Sequence, residues 1–305
     1  MNKKPLLKSI RDDLFYLLVL FFIKMLRLIS RGASLNIMRI LSRFVFVFAR
    51  GPRQRVISHL TMVYGAEKDK REIITMARAV FNHFAIASAD MLRIPNLIRD
   101  NVNTLVTTKG IEHLEKAFKS DKGMIFITCH FGNWEVLGAW LGQNGFPMKV
   151  VGTTVFDPRL DKILVETRKI AGNTNIARGK GTREIIRTIK KGDAVGMLID
   201  QDTKAQSIFV NFFGKLTHTP TGPAVLARRL NVPIIPIFMY LNEELNYVLE
   251  CQPQLELIRT EDEEYDVLVA TQKISDTYEA MIRRYPEQWV WMHKRWKTQP
   301  KPEIQ

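Results

Sequence analysis

The sequence predicts an α/β protein with a mostly parallel, mixed β-sheet flanked by helices and an N-terminal membrane-associated helix. Three observations predict this. From about residue 105 onward, short apolar runs alternate with amphipathic segments, as strands alternate with helices around parallel sheets. The apolar fraction is 46% over 305 residues, which is sufficient for one large core. The N-terminus is both strongly basic and strongly apolar.

The first 60 residues contain twelve Lys or Arg and two Asp, so they carry +10 of the formal charge of +14. Residues 14–23 form an unbroken apolar run, shorter than the ~20 residues that span a bilayer. Residues 44–48 form a second apolar cluster. This pattern is typical of a helix at a membrane interface, and a buried core helix is the alternative. We predict that 1–60 anchors the chain and that 61–305 forms a second domain with its core at about 105–297.

Nucleic acid is a disfavoured partner, because the aromatic residues lie in solid apolar runs and no recognition motif is present. A cleaved signal peptide is also disfavoured, since Arg27 and Arg31 stand where small cleavage-site residues belong. Of the two cysteines, Cys129 lies in an apolar run that predicts a buried strand. A disulfide framework is therefore not expected.

The remaining elements follow from apolar spacing and from Gly and Pro boundaries. A helix is predicted over 71–93, where apolar residues trace one side until Pro95. The predicted strands are 124–129, 150–153, 175–177, 194–199, 208–212 and 232–240. The predicted helices that accompany them are 135–143, 158–170, 182–190, 220–230 and 267–285. No linker interrupts 105–290, which indicates one domain.

The sequence H-F-G-N-W-E at 130–135 is the strongest candidate for chemistry. It follows the strand 124–129 at its carboxyl end, where open α/β sheets bind ligands. Gly132 and Asn133 are turn and N-cap types, which places Glu135 in the first turn of a helix. A carboxylate bonded to one imidazole nitrogen leaves the other nitrogen free as a base. We predict His130 as a general base held by Glu135; a histidine that caps a turn beside a solvated glutamate is the alternative.

Other chemistries are less favoured at this position. Consecutive strand residues point to opposite faces, so the side chain of Cys129 is expected in the core, on the other face from that of His130. A thiol nucleophile at Cys129 is therefore disfavoured. The six histidines show no metal-ligand spacing, and no metal or other cofactor is predicted. The G-x-S-x-G sequence of serine hydrolases is absent.

Two further segments contain candidate substrate-binding residues. The segment R-G-K-G-T at 178–182 opens a predicted helix, where backbone N–H groups, Arg178 and Lys180 can approach an anion. A surface turn with two solvated cations is the alternative. The segment I-D-Q-D at 199–202 follows a predicted strand and supplies Asp200 and Gln201, although a plain polar turn also explains it.

Five blocks, taken together and in this order, resemble the late acyltransferases of lipid A biosynthesis, the lauroyl/myristoyl acyltransferase family. They are H-F-G-N-W-E, A-R-G-K-G, M-L-I-D-Q-D, the stretch 209–237 with F-V-N-F-F-G-K and T-P-T-G-P-A, and P-E-Q-W-V-W-M-H-K-R-W. The resemblance covers roughly 105–297, and the basic apolar N-terminus is similar to that family's membrane anchor.

The resemblance implies a glycerolipid-acyltransferase-like sandwich and an H-x4-D/E motif in which His130 is the base and Glu135 its orienter. It implies that Arg178 contacts the acyl carbonyl or oxyanion. It also implies acyl carrier protein as donor, a hydroxyl of a lipid A precursor as acceptor, and a location at the cytoplasmic face of the cell inner membrane. The alternative is a phospholipid or other glycolipid O-acyltransferase that uses an acyl carrier protein or acyl-CoA donor. The F-P-E-G-T-like block of glycerophosphate acyltransferases is absent, which disfavours a phosphatidic acid enzyme.

Overall fold

The computed structural model describes residues 6–120, 122–152, 154–177 and 181–300. The candidate residues Arg178 and Lys180 lie outside these ranges. Four long helices come first, and the later helices alternate with strands. The helices are α1 (Leu6–Leu28), α2 (Arg31–Phe48), α3 (Arg50–Tyr64), α4 (Lys70–Leu92), α5 (Ile94–Arg99), α6 (Ile111–Phe118), α7 (Trp134–Gln143), α8 (Pro158–Ile170), α9 (Thr182–Lys190), α10 (Gly222–Leu230) and α11 (Glu263–Arg284).

The strands are β1 (Val106–Lys109), β2 (Met124–Thr128), β3 (Met148–Gly152), β4 (Thr174–Ala177), β5 (Ala194–Leu198), β6 (Ser207–Phe212), β7 (Lys215–Pro220), β8 (Ile234–Leu241) and β9 (Tyr247–Cys251). Seven of them form one sheet in the order β1-β9-β8-β2-β5-β3-β4. All neighbours are parallel except β8 and β9. The prediction of a mostly parallel, mixed sheet flanked by helices is therefore confirmed.

The predicted strand 208–212 lies outside this sheet. It is β6, which pairs with β7 in an antiparallel hairpin. The chain reverses at Phe213 and Gly214, which both have positive φ (53° and 71°), as tight hairpin turns require.

Alternating side chains of the central strands fill two cores, one on each face of the sheet. Ile125 and Ile127 of β2 belong to a cluster that includes residues of α9, α10 and α11. Met124 and Phe126 of the same strand belong to a cluster that includes residues of α5, α6 and α7. We call these the α9 face and the α7 face.

The N-terminal helices pack on the rest of the chain. Leu26 of α1 and Leu35 of α2 are buried in the core of the α7 face, and Leu60 of α3 is buried in that of the α9 face. At the other end of α1, Asp13 forms an ion pair of 2.6 Å with Arg159 at the start of α8. These contacts fix α1 beside α8. The division of the chain at residue 60 stays a prediction.

The helices α1 and α2 also expose large apolar side chains. They include Leu14, Leu17, Leu18, Phe21, Phe44, Val47 and Phe48, each more than half exposed. In the described part of the chain, no helix taken alone has the length and apolar content to cross a membrane. The pair α2 and α3 passes that test when joined, with a bend of 89° between them.

Candidate active site

The ends of β2 and β5 bring His130 and Asp200 together. The two strands are adjacent and parallel, with Thr128 opposite Leu198, so the residues two positions later also face each other. The Nδ1 atom of His130 lies 2.8 Å from Oδ1 of Asp200. The backbone N–H of His130 donates to Oδ2 of the same carboxylate at 3.0 Å. The carboxylate therefore fixes both the ring and the backbone of His130.

Asp200 is buried, with 1% of its surface exposed. Its Oδ2 atom also accepts a hydrogen bond from Nε1 of Trp289 at 2.9 Å. Burial by itself raises the pKa of Asp200, but the charge and hydrogen bonds of His130 and the Trp289 donor outweigh it, so the net pKa is lowered. Asp200 is consequently an ionised, inward-facing partner of the imidazole. The sequence predicted Asp200 as a substrate-binding residue. Its burial and its bond to His130 instead favour a role in holding the imidazole.

The chain near its C-terminus completes the support around His130. Trp289 forms a β-bridge with Phe131, and the backbone N–H of Val290 donates to the carbonyl oxygen of His130 at 3.1 Å. From α4, Nε2 of the buried His83 lies 3.1 Å from the carbonyl oxygen of Gly132. Burial lowers the pKa of His83 to about 4 despite this hydrogen bond, so the ring is neutral near pH 7. Neither Trp289 nor His83 was identified from the sequence.

Glu135 has a different partner from the one that the sequence predicted. Its Oε2 accepts a hydrogen bond from Nε of Arg168 at 2.9 Å, and its Oε1 pairs with Nη2 of the same residue. Nη1 of Arg168 donates to Asn175 at 3.1 Å. Burial alone would lower the pKa of Arg168, but Glu135 reverses the effect and raises it. The carboxylate bonded to His130 is thus that of Asp200, while that of Glu135 is bonded to a guanidinium.

Local sequence explains this arrangement. The side chain of Asn133 accepts a hydrogen bond from the N–H of Val136 and so caps α7, which begins at Trp134. Glu135 is therefore held in the first turn, as predicted, and faces α8. A buried carboxylate is stabilised far more by a charged, forked guanidinium than by a neutral ring, which is the physical reason for its pairing with Arg168.

A cavity of about 750 Å³ opens beside these groups. Its lining includes the polar or aromatic residues His130, Trp134, Glu135, Arg168 and Gln201. Most of the remaining lining is apolar, including Ile94, Phe126, Leu137, Met148, Ile185, Leu226 and Ile237. The side chain of His130 is 24% exposed. The cavity can hold a long apolar chain with one end at the imidazole.

A second histidine–aspartate pair lies close by in sequence but not on this cavity. Nδ1 of His218 lies 3.2 Å from Oδ1 of Asp202, whose other oxygen accepts the backbone N–H of Thr298 at 3.0 Å. Neither residue of the pair lines the cavity. It ties β7 and the C-terminal segment to the end of β5.

The family model for bacterial lipid A biosynthesis acyltransferases matches residues 1–298. The chain belongs to this family. It is therefore an acyltransferase, and the resemblance stated from the sequence is confirmed.

Three curated relatives illustrate the breadth of the similarity. A phosphatidylinositol mannoside acyltransferase of Mycolicibacterium smegmatis is 24% identical over 72% of this chain and 72% of its own. A lipid A biosynthesis acyltransferase of Haemophilus influenzae is 30% identical over 60% of this chain and 56% of its own, so the alignment spans less than two thirds of that protein. A lipid A biosynthesis myristoyltransferase of Escherichia coli is 22% identical over 87% of this chain and 81% of its own.

Proposed function

We propose that this acyltransferase transfers a fatty acyl chain from acyl carrier protein to a hydroxyl group of a lipid A precursor, with His130 as the general base. The family, and the names of the relatives from Haemophilus influenzae and Escherichia coli, support a lipid A precursor as the acceptor. The single observation that carries the mechanism is the 2.8 Å contact between His130 and the buried Asp200 at the wall of an apolar cavity.

Asp200 takes the orienting role that the sequence gave to Glu135. Because its carboxylate accepts the proton of Nδ1, the neutral ring keeps Nε2 unprotonated and able to accept a proton. Nε2 removes the proton of the acceptor hydroxyl as its oxygen attacks the carbonyl carbon of the acyl thioester. The bond from that carbon to sulfur then breaks, and the thiolate takes the proton back from His130. An ester and a free thiol result.

The acyl chain occupies the apolar part of the cavity in this proposal. Phe126, Met148, Gly196 and Ile237 line it along the α7 face of the sheet. A C12–C14 chain fits within a few hundred Å³, so about 750 Å³ leaves room for part of the acceptor as well. In this proposal the four residues set the depth of the cavity, and this depth determines the length of the acyl chain that the enzyme accepts.

The charged residues around the cavity have separate roles. We assign to the Glu135–Arg168 pair the task of fixing one wall of the cavity near the reacting carbonyl. Gln201 lines the cavity and remains a proposed substrate contact. Arg178 and Lys180 precede α9, whose first residue Thr182 lines the cavity, and stay proposed contacts for the oxyanion or an acceptor phosphate.

Membrane association belongs to the same proposal. The exposed apolar side chains of α1 and α2 stand among basic residues such as Lys24, Arg39 and Arg43, the combination that binds an anionic lipid interface. Binding of α1 and α2 to the cytoplasmic face of the inner membrane would let the lipid acceptor reach the cavity without leaving the membrane for water.

The test is a matrix of donors and acceptors with the purified protein. Acyl carrier protein and CoA thioesters of the same fatty acid are each offered with a lipid A precursor and with a phosphatidylinositol mannoside, and products are identified by mass spectrometry. The mannoside is included because the relative from Mycolicibacterium smegmatis is named a phosphatidylinositol mannoside acyltransferase. Acylation of the lipid A precursor from acyl carrier protein supports the proposal. Preferential acylation of the mannoside, or dependence on acyl-CoA, contradicts it.

A further inference from the structure

Helix α9 has two chemically distinct sides. Ile185, Thr188 and Ile189 are buried against the sheet. Positive charge occupies another side, which we call the α9 basic stripe: Arg183, Arg187 and Lys190, extended by Lys191 directly after the helix, all exposed. The spacing of three and four residues places them along one line of the helix surface. Within the described ranges, no ion pair neutralises any of these four side chains; the acidic Glu184 contacts Lys149 at 3.7 Å instead.

This stripe adjoins the cavity. Thr182, Ile185 and Ile186 of the same helix line it. With 100° between successive residues, Ile186 lies between the cavity side of α9 and the line of Arg183 and Lys190. A bound molecule that contacts the stripe is therefore within one helix width of the cavity wall.

The chemistry of the stripe does not suit a lipid surface. Membrane-binding faces combine cations with exposed bulky apolar groups, as α1 and α2 do. No large apolar side chain of α9 is exposed. Moreover, Ile185 and Ile189 place α9 on the α9 face of the sheet, whereas Leu26 of α1 is buried in the core of the α7 face. The stripe and the apolar helix α1 are thus on opposite sides.

We infer that the α9 basic stripe is the docking surface for an acidic carrier protein that presents the acyl thioester to the cavity. The inference rests on the proposed function, because that function requires a macromolecular acyl donor. Unpaired cations in a row on one helix repel each other, and an acidic surface relieves that repulsion. Docking there lets a carrier with a flexible phosphopantetheine arm insert its acyl chain past Ile186 toward His130.

The α9 variant Arg183→Gln, Arg187→Gln tests this against a matched control, Lys70→Gln, Arg71→Gln. The control pair is also exposed at the start of a helix, α4, and also has no ion pair within the described residues. Each protein is assayed with acyl carrier protein and with the corresponding acyl-pantetheine, a donor without the protein. All four altered side chains are solvated, so both variants are expected to fold.

With acyl carrier protein at low ionic strength, we expect the α9 variant to lose roughly tenfold in kcat/KM, mainly through KM, since charge at a docking rim controls encounter. The loss should shrink as salt is added, because exposed charges are screened beyond about 8 Å at physiological ionic strength. With acyl-pantetheine, both variants should match the wild type.

An equal loss with both donors would overturn the inference, because the stripe would then act on the chemistry or the fold. Unchanged kinetics with acyl carrier protein would overturn it as well. If the wild type does not use acyl carrier protein at all, the proposed donor itself is wrong, which is a separate result from an unaffected α9 variant.

Discussion

Asp200 binds His130 twice, with one carboxylate oxygen 2.8 Å from ring Nδ1 and the other 3.0 Å from the backbone nitrogen. The second contact holds the end of β2 against the end of β5, and the first sets the tautomer of the ring. The same carboxylate thus couples the geometry of the strand ends to the basicity of the imidazole.

Replacement of Asp200 by Asn should reduce kcat sharply. An amide can donate to Nδ1 and so stabilise the tautomer in which Nε2 is already protonated and unable to act as a base. In Ser-His-Asp hydrolases this kind of change costs about 10⁴-fold. We expect a loss on the order of 10³-fold or more, with KM little changed, measured in steady-state acyl transfer. The control Asp202→Asn alters the pair with His218, away from the cavity, and should retain most of the activity. Comparable losses in both variants would contradict the orienting role of Asp200.

The contributions of Glu135 and Arg168 to the free energy of unfolding should depend strongly on each other. Both side chains are largely buried, so removal of one partner leaves an uncompensated charge at a cost of about 3–5 kcal/mol. We expect Glu135→Gln and Arg168→Met each to lower the free energy of unfolding by that order in urea titrations. The double variant should lose much less than the sum of the single losses. Additive losses would show that the two side chains do not act as a pair.

Stability should fall as the pH is lowered from about 6.5 to about 4, because of His83. Its folded pKa of about 4 lies below the ordinary value of 6.5, so the unfolded chain binds the proton more readily and acid favours unfolding through this range. A shift of that size corresponds to roughly 3 kcal/mol when the window is fully crossed. The pKa values of His59 and His293 are also lowered, chiefly by burial, so they add to the slope.

His83→Gln should therefore flatten this pH dependence without abolishing it. Urea unfolding at pH 7, 5.5 and 4.5 measures the difference between the variant and the wild type. The glutamine amide retains a donor for the carbonyl oxygen of Gly132. An unchanged slope would mean that His83 is not a buried neutral group.

Gly196 and Met148 should limit the length of the acyl chain. Both line the cavity, and a Cβ atom built on Gly196 would lie 2.7 Å from Sδ of Met148. Met148 is flexible, so in Gly196→Ala its thioether must shift, and we expect the preferred donor to become shorter by a few carbons. Competition among C10 to C16 acyl donors, with the products identified by mass spectrometry, measures the chain-length preference. Gly51→Ala, where an added Cβ meets nothing within 4 Å, is the control. The same chain preference in both variants would contradict this role.

Local signals were sufficient for much of the fold and for the position of His130. The apolar run of β2, the turn at Gly132 and the cap at Asn133 are all encoded within ten residues, and the structure has them as predicted. Strands β1, β7 and β9 were missed. β1 has only four residues, and both β1 and β7 have polar or exposed residues at most positions, so neither gives an apolar run.

Pairings between distant segments were not accessible from spacing. Asp200 was recognised as a candidate, but its contact with His130 depends on β2 and β5 being neighbours, 70 residues apart in sequence. Glu135 is close to His130 in sequence and was therefore assigned to it, whereas its partner Arg168 lies on another helix. Trp289 reaches Asp200 from the C-terminal block P-E-Q-W-V-W-M-H-K-R-W, to which the sequence assigned no catalytic role. A register argument at the strand ends could have found Asp200, but not Trp289.

The rate of acyl transfer by His130→Ala, compared with His218→Ala, tests the central claim most directly. Both substitutions remove an imidazole bonded to a carboxylate, but only that of His130 lines the cavity. Purified variants, checked for folding by circular dichroism, are assayed with an acyl carrier protein donor and a lipid A precursor. We predict a loss of about 10²–10⁴-fold in rate for His130→Ala and near wild-type rates for His218→Ala. A folded His130→Ala enzyme that retains the wild-type rate would contradict the assignment of His130 as the base.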